Sequence, residues 1–157
     1  MASEFGWIKP SERLVAKGYP TVIGEFEIET VSEMYPGRLV KKGTTASEII
    51  VNDTSNNGTS LIGYLGYDEC DMNVKPATRA TIYKVNDAAP VLRGTFVGKA
   101  TLSAQQTCTQ GCSVAASSTS GQLDTATHGT DHVIGVALEA VTNVTGATSD
   151  IWVLFNF

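Results

Sequence analysis

The residues best suited to chemistry lie late in the chain. Cys108 and Cys112 are followed, after fifteen residues, by His128 and His132. This comes near the spacing of a two-cysteine, two-histidine zinc site, in which thiolate and imidazole ligands complete a tetrahedron. A finger of that type sets its histidines on one face of a helix. Gly129 and the neighbouring threonines disfavour one, which leaves zinc held between two loops. A local disulfide across Thr109-Gln110-Gly111 is a second reading, suited to a particle facing an oxidising exterior. Free thiols, the ordinary state in a cytoplasmic product, are a third. Cys70 reads as a small core residue.

The remaining constellations are weaker. His128 and His132, the only two histidines, stand in loop context among threonines, where a Ser/His/Asp arrangement can be drawn by chance and specifies nothing. Asp68, Glu69 and Asp71 lack the glycine and downstream glutamate of a calcium loop and read as a solvated strand end. Gly94-x3-Gly98-Lys99-Ala100 has neither the length nor the hydroxyl residue of a phosphate loop. No catalytic residue, metal or cofactor is expected.

The elements that would carry such residues are strands. The chain has 157 residues, the length of one ordinary domain. It is 42% hydrophobic, enough to build a core, and Val plus Ile far outnumber Leu. Branched side chains favour pleated sheet over helix. Beyond Gly37, short runs separated by Gly, Asn, Asp and Pro predict strands at about 38–41, 48–52, 61–65, 79–85, 91–97, 99–103, 112–116, 133–138 and 151–155. This regular spacing predicts an all-β fold, a compact barrel or sandwich. Before it, residues 1–36 read as an N-terminal arm. It includes one helical turn over 11–18, capped by Ser11 and ended by Gly18, and one alternating strand over 22–28. The domain proper is then 37–157.

An internal repeat is visible. Leu61-Ile62-Gly63-Tyr64-Leu65 matches Val133-Ile134-Gly135-Val136-Ala137. Each is followed by a loop and a second hydrophobic run, read as 81–85 in one case and 150–154 in the other. The expectation is two weakly related halves.

Charge is sparse and uneven. Only 17% of residues are charged, against about 25% in an ordinary protein. Residues 94–157 carry five charges, namely Lys99, Asp124, Asp131, Glu139 and Asp150. A net charge of -5, with no Lys or Arg after Lys99, gives nothing with which to displace counterions from phosphate, so no nucleic-acid partner is expected. The longest uncharged stretch, 100–123, is too polar to span a bilayer, and no membrane partner is expected. The first ten residues hold no apolar run of signal-peptide length, which points to synthesis in the cytoplasm. The sequons at Asn52, Asn57 and Asn143 then read as chance matches in a Thr-rich chain. Uncharged strand surfaces adhere to partners unless blunted, so a protein partner is expected on the second half.

Several features together resemble a family. They are Gly37-Arg38-Leu39-Val40, the Ile62-Gly63-x-Leu65 run, Val91-x-x-Gly94 followed by Thr95-Phe96, and His132-Val133-Ile134-Gly135-Val136-Ala137-Leu138-Glu139 ahead of a terminal hydrophobic strand. Over residues 37–157 this order resembles the decoration, or cement, proteins that tailed viruses place on their capsids. The resemblance implies a compact β-fold, usually a homotrimer. It would sit on the virion surface, clamp neighbouring copies of the major capsid protein, and lack a catalytic residue. It also implies an arm that orders on contact, for which Phe5, Trp7, Ile8 and Tyr19 are the candidate capsid-binding anchors. Two other readings stand beside it. One is a carbohydrate- or surface-binding β-module of a fibre or tail, using Tyr64, Tyr67 and Trp152. The other is a zinc-stabilised module or small metalloenzyme built on Cys108, Cys112, His128 and His132.

Overall fold

The computed structural model describes residues 13–54, 61–67, 76 and 78–157. Thirteen strands and no helix occur among them: β1 (Val15–Gly18), β2 (Thr21–Ile28), β3 (Leu39–Lys42), β4 (Glu48–Val51), β5 (Leu61–Leu65), β6 (Ala88–Arg93), β7 (Thr95–Leu102), β8 (Thr107–Cys108), β9 (Ser113–Ala116), β10 (Leu123–Thr125), β11 (Val133–Ala137), β12 (Val141–Thr142) and β13 (Ser149–Asn156). The all-β expectation holds, and the halves are more alike than the sequence suggests.

Each half is a closed five-stranded barrel. The first runs β2-β4-β3-β5-β6 and back to β2. The second runs β7-β10-β9-β11-β13, closed by the β13–β7 pairing. The pairing senses coincide at every step. β2–β4 and β7–β10 are parallel, and the other four contacts of each barrel are antiparallel. Register coincides too. Ile28 faces Ile49 where Leu102 faces Leu123, a displacement of 74 residues for both partners. Val40 faces Val51 where Val114 faces Thr125, at the same displacement. Thr21-Val22-Ile23-Gly24-Glu25 and Thr95-Phe96-Val97-Gly98-Lys99 are therefore the same strand start used twice.

Turns repeat bond for bond. Gly37 N–H donates to the Leu65 carbonyl at 2.8 Å, and Gly111 N–H to the Ala137 carbonyl at 2.8 Å. Both glycines sit at positive φ, 91° and 89°, where a side chain would be strained. Leu65 N–H returns to the Arg38 carbonyl, and Ala137 N–H to that of Cys112, both at 2.9 Å. The Ile-Gly pair has one physical role in both barrels. Ile62 and Ile134 are the extra residues of a β-bulge, which adds the local twist that closes a small barrel. The glycine then admits a neighbouring backbone. A Cβ on Gly63 would lie 2.6 Å from the Leu92 carbonyl oxygen, and one on Gly135 would lie 2.7 Å from that of Leu154.

This equivalence corrects one part of the repeat. The counterpart of β13 is β6, since Val91-Leu92 meets Gly63 as Val153-Leu154 meets Gly135. The segment 81–85 is not a strand. Its backbone is spent on turns: Thr81 N–H bonds the Thr78 carbonyl at 3.1 Å, and Lys84 N–H bonds the Asp87 carboxylate at 2.9 Å. Only Tyr83 plugs inward, its hydroxyl donating to the Gly66 carbonyl at 2.7 Å.

The helical turn expected over 11–18 is also corrected over its described part. Residues 15–18 form β1, antiparallel to β7, with Val15 opposite Gly98 and Gly18 opposite Phe96. An open edge on β7 offers backbone partners to a segment too short to hold a helix alone. β2, within the segment read as arm, is one of the five strands of the first barrel.

Alternation fills each barrel. On β7, Phe96, Gly98, Ala100 and Leu102 are buried; on β13, Ile151, Val153 and Phe155 are. The first barrel holds Ile28, Met34, Val40, Ile49, Leu65, Tyr83, Ala89 and Val91. The second core extends across the junction and takes in Leu14, Leu39, Tyr64 and Tyr67. The outer face of β3, β5 and β6 thus roofs the aromatic end of the second barrel. Tyr64 lies 5.5 Å from Phe96 and 5.3 Å from Phe155, ring centre to ring centre. Backbone bonds join the same junction, from Leu39 N–H to the Gly121 carbonyl at 2.9 Å and from Gly121 N–H to that of Asn52 at 2.6 Å.

Candidate functional site

Phe5, Trp7 and Ile8 lie outside the described residues. Tyr19 lies within them, between β1 and β2, and is 98% exposed. β1 anchors the chain just before it, with Leu14 buried and its carbonyl accepting the Lys99 N–H at 2.7 Å. Val22 and Ile23 follow on the outer start of β2, 54% and 42% exposed. An apolar patch with one phenol therefore stands in solvent beside a fixed strand. Such a patch contributes burial energy only when something covers it.

The cysteines are resolved by geometry. Cys108 and Cys112 form a disulfide. Both sulfurs are thereby removed as metal ligands, which overturns the zinc reading built on them. His128 and His132 are exposed on the 127–132 turn. Thr127 N–H caps that turn on the Asp131 carboxylate at 2.6 Å. No group of three metal-ligating side chains occurs among the described residues. Asp68, Glu69, Cys70 and Asp71 lie outside them.

The aromatic set proposed for carbohydrate binding does not form a platform. Tyr64 and Tyr67 are buried. The Tyr64 hydroxyl donates to the Lys99 carbonyl, and burial pushes its ionisation well above the ordinary phenol range. Trp152 is half-buried beneath the Lys99 ammonium, 5.4 Å from the ring centre.

One polar groove, of about 550 Å³, opens between the halves, lined in part by Glu33, Tyr35, Arg38, Arg79, Thr101 and Asp150. Arg79, from the first half, meets Asp150 of β13 at 2.9 Å. Thr101 donates to the same carboxylate at 2.8 Å. Burial alone would raise the Asp150 pKa; the Arg79 hydrogen bond and charge outweigh it and hold the carboxyl below its ordinary value. Arg38 lies 3.6 Å from Glu33 and stacks over Tyr35. Burial lowers its pKa, with Glu33 acting against that. Two cations here face two anions, and neither a histidine nor a cysteine is among the described residues that line the groove. This arrangement can clamp the halves together, each cation of one half facing a carboxylate. Nothing in the sequence marked it, because its members are scattered over some 120 positions.

What the surface does offer is neutral strand. On the outer side of the second barrel, Val133, Leu138 and Leu154 are 43%, 37% and 39% exposed, and Val144 in the following turn is 68% exposed. The described residues include no helix long and apolar enough to cross a membrane. Neither the protein-family models nor the curated proteins include a match to this chain.

Proposed function

We propose that the protein is a virion structural component that binds the outer surface of a capsid as an oligomer, a homotrimer, and stabilises the shell. Support comes chiefly from the uncharged outer strands of the second barrel, where Val133, Leu138 and Leu154 stand in solvent with few charges around them. Depletion of charge at exposed strand positions is the composition of an interface core. Tyr19, Val22 and Ile23 supply a second apolar patch, and Phe5, Trp7 and Ile8 precede it in the sequence. The partner in this reading is the major capsid protein, and no cofactor takes part. The effect on the shell is mechanical. An oligomer that touches several subunits at once makes opening depend on losing several contacts together.

The test is co-sedimentation of the purified protein with expanded capsids. Two variants should each reduce retention at least tenfold: Tyr19→Ser, and a chain lacking residues 1–12, which keeps Leu14 and β1. Undiminished retention of both would remove the arm from the mechanism. Failure of the intact protein to bind any capsid would remove the function.

A further inference from the structure

The contact that joins the two barrels is a head-to-tail contact between two copies of one fold. Its two surfaces are the outer face of β3-β5-β6 on the first barrel and the aromatic end of the second. Each surface has a counterpart that the described chain leaves uncovered. The Tyr64–Leu92 cross-strand pair belongs to the buried junction cluster. Its counterpart, Val136–Leu154, occupies the same register on β11 and β13, with Leu154 39% exposed. Leu61 packs on that cluster, while its counterpart Val133 is 43% exposed. At the other surface, Phe96 is 1% exposed beneath Tyr64, whereas its counterpart Val22 is 54% exposed. Gly121 is buried under Leu39 in the 117–121 turn, while the equivalent turn of the first barrel is exposed from Thr44 to Ser47.

We infer that a second copy of this chain docks head to tail. The exposed end of its first barrel (Val22, Ile23 and the 44–47 turn) would sit on the outer β11–β13 face (Val133, Val136, Leu154) of the second barrel. The operation that carries barrel one onto barrel two, applied once more, brings in the first barrel of another chain. Such an interface is heterologous, with different patches meeting, and it closes into a ring or continues according to its rotation. Charge permits the contact. The second half holds a single cation, Lys99, so Arg93 of a docked first barrel would face mostly neutral or acidic side chains. The side chains are smaller than those inside the chain, with Val136 for Tyr64 and Val22 for Phe96. The association is therefore weaker than the internal junction and depends on concentration.

The inference draws on surfaces that also support the proposed function, but it requires no capsid, so the two can fail separately. The experiment is sedimentation of the purified 16.6 kDa chain with Val22→Asp and Leu154→Asp, both at exposed sites, after circular dichroism confirms that each is folded. The wild type should gain mass as concentration rises, and each variant alone should remain a single chain. An equal mixture should form a species of two chains and no larger, because each variant keeps the face that the other has lost. Three results would overturn the inference. They are a wild type that stays a single chain at millimolar concentration, a Val22→Asp variant that associates as the wild type does, and a mixture that stays as single chains.

Discussion

At the scale of single residues, the informative positions are those where one side chain ties the halves together. Asp150 is a clear case, accepting from Thr101 and pairing with Arg79. Its pKa is lower in the folded protein than in the unfolded chain. The stability it contributes is therefore complete above the unfolded value of about 4 and is lost as pH falls through the folded value. With 39% of its side chain exposed, solvent screening limits the pair to about 1 kcal/mol. Asp150→Asn should unfold in urea with about that deficit at pH 7. The gap to the wild type should narrow as pH falls below about 4 and close once the folded carboxyl is itself protonated. The sequence could not show this pair, since Arg79 read as part of a strand and Asp150 as one of five scattered charges. Ile62-Gly63 and Ile134-Gly135, in contrast, were legible. A bulge and a close backbone approach restrict residue type locally, and that restriction appears as a repeated dipeptide.

Elements were legible where turn formers marked their ends; β7, eight residues long, was instead read as parts of two strands at 91–97 and 99–103. β5 was read to the residue, because five residues flanked by turn formers leave little choice. β8, β10 and β12 have two or three residues each, too few to show any period. The segment 79–85 misled for the opposite reason. Its alternation of Thr, Ile, Tyr and Val is strand-like, yet only Tyr83 goes inward while the backbone turns around it. The turn at 108–112 shows what local sequence leaves open. A three-residue gap permits a disulfide, a metal or free thiols, and only the fold decides. The equivalent turn, Met34 to Arg38, keeps the same backbone bond with no disulfide, Arg38 N–H to the Tyr35 carbonyl at 3.1 Å against Cys112 N–H to that of Thr109 at 3.0 Å. The turn is thus stable by itself, and the covalent link acts mainly by shortening a very small loop. Reduction should leave the strand content unchanged by circular dichroism and lower unfolding free energy by at most about 2 kcal/mol.

At the scale of the molecule, the second core is not the property of one barrel. Tyr64 belongs by strand to the first barrel and by contacts to the second, packed on Phe96 and Phe155 and bonded to Lys99. Truncating it should remove roughly 3–5 kcal/mol, as for other large buried aromatics. It should also uncouple the halves. In hydrogen exchange, the opening free energies of Ile49 and Val153 should be equal in the wild type and separate in Tyr64→Ala. Equal values in the variant would mean that the other junction contacts are sufficient to keep the barrels cooperative.

β1 adds a constraint of timing. It precedes the first barrel in the chain but is held by β7, whose pairing residues Phe96 to Gly98 come much later. At a synthesis rate of about 5–20 residues per second, the ribosome needs roughly 4–16 s to make the strand that β1 must join. The first barrel, complete at Arg93, has all its own strands before then. β1, made before the strands of the first barrel, thus finds its partner only after they are complete. Until β7 has been made, β1 remains accessible to chaperones, proteases or a neighbouring nascent copy.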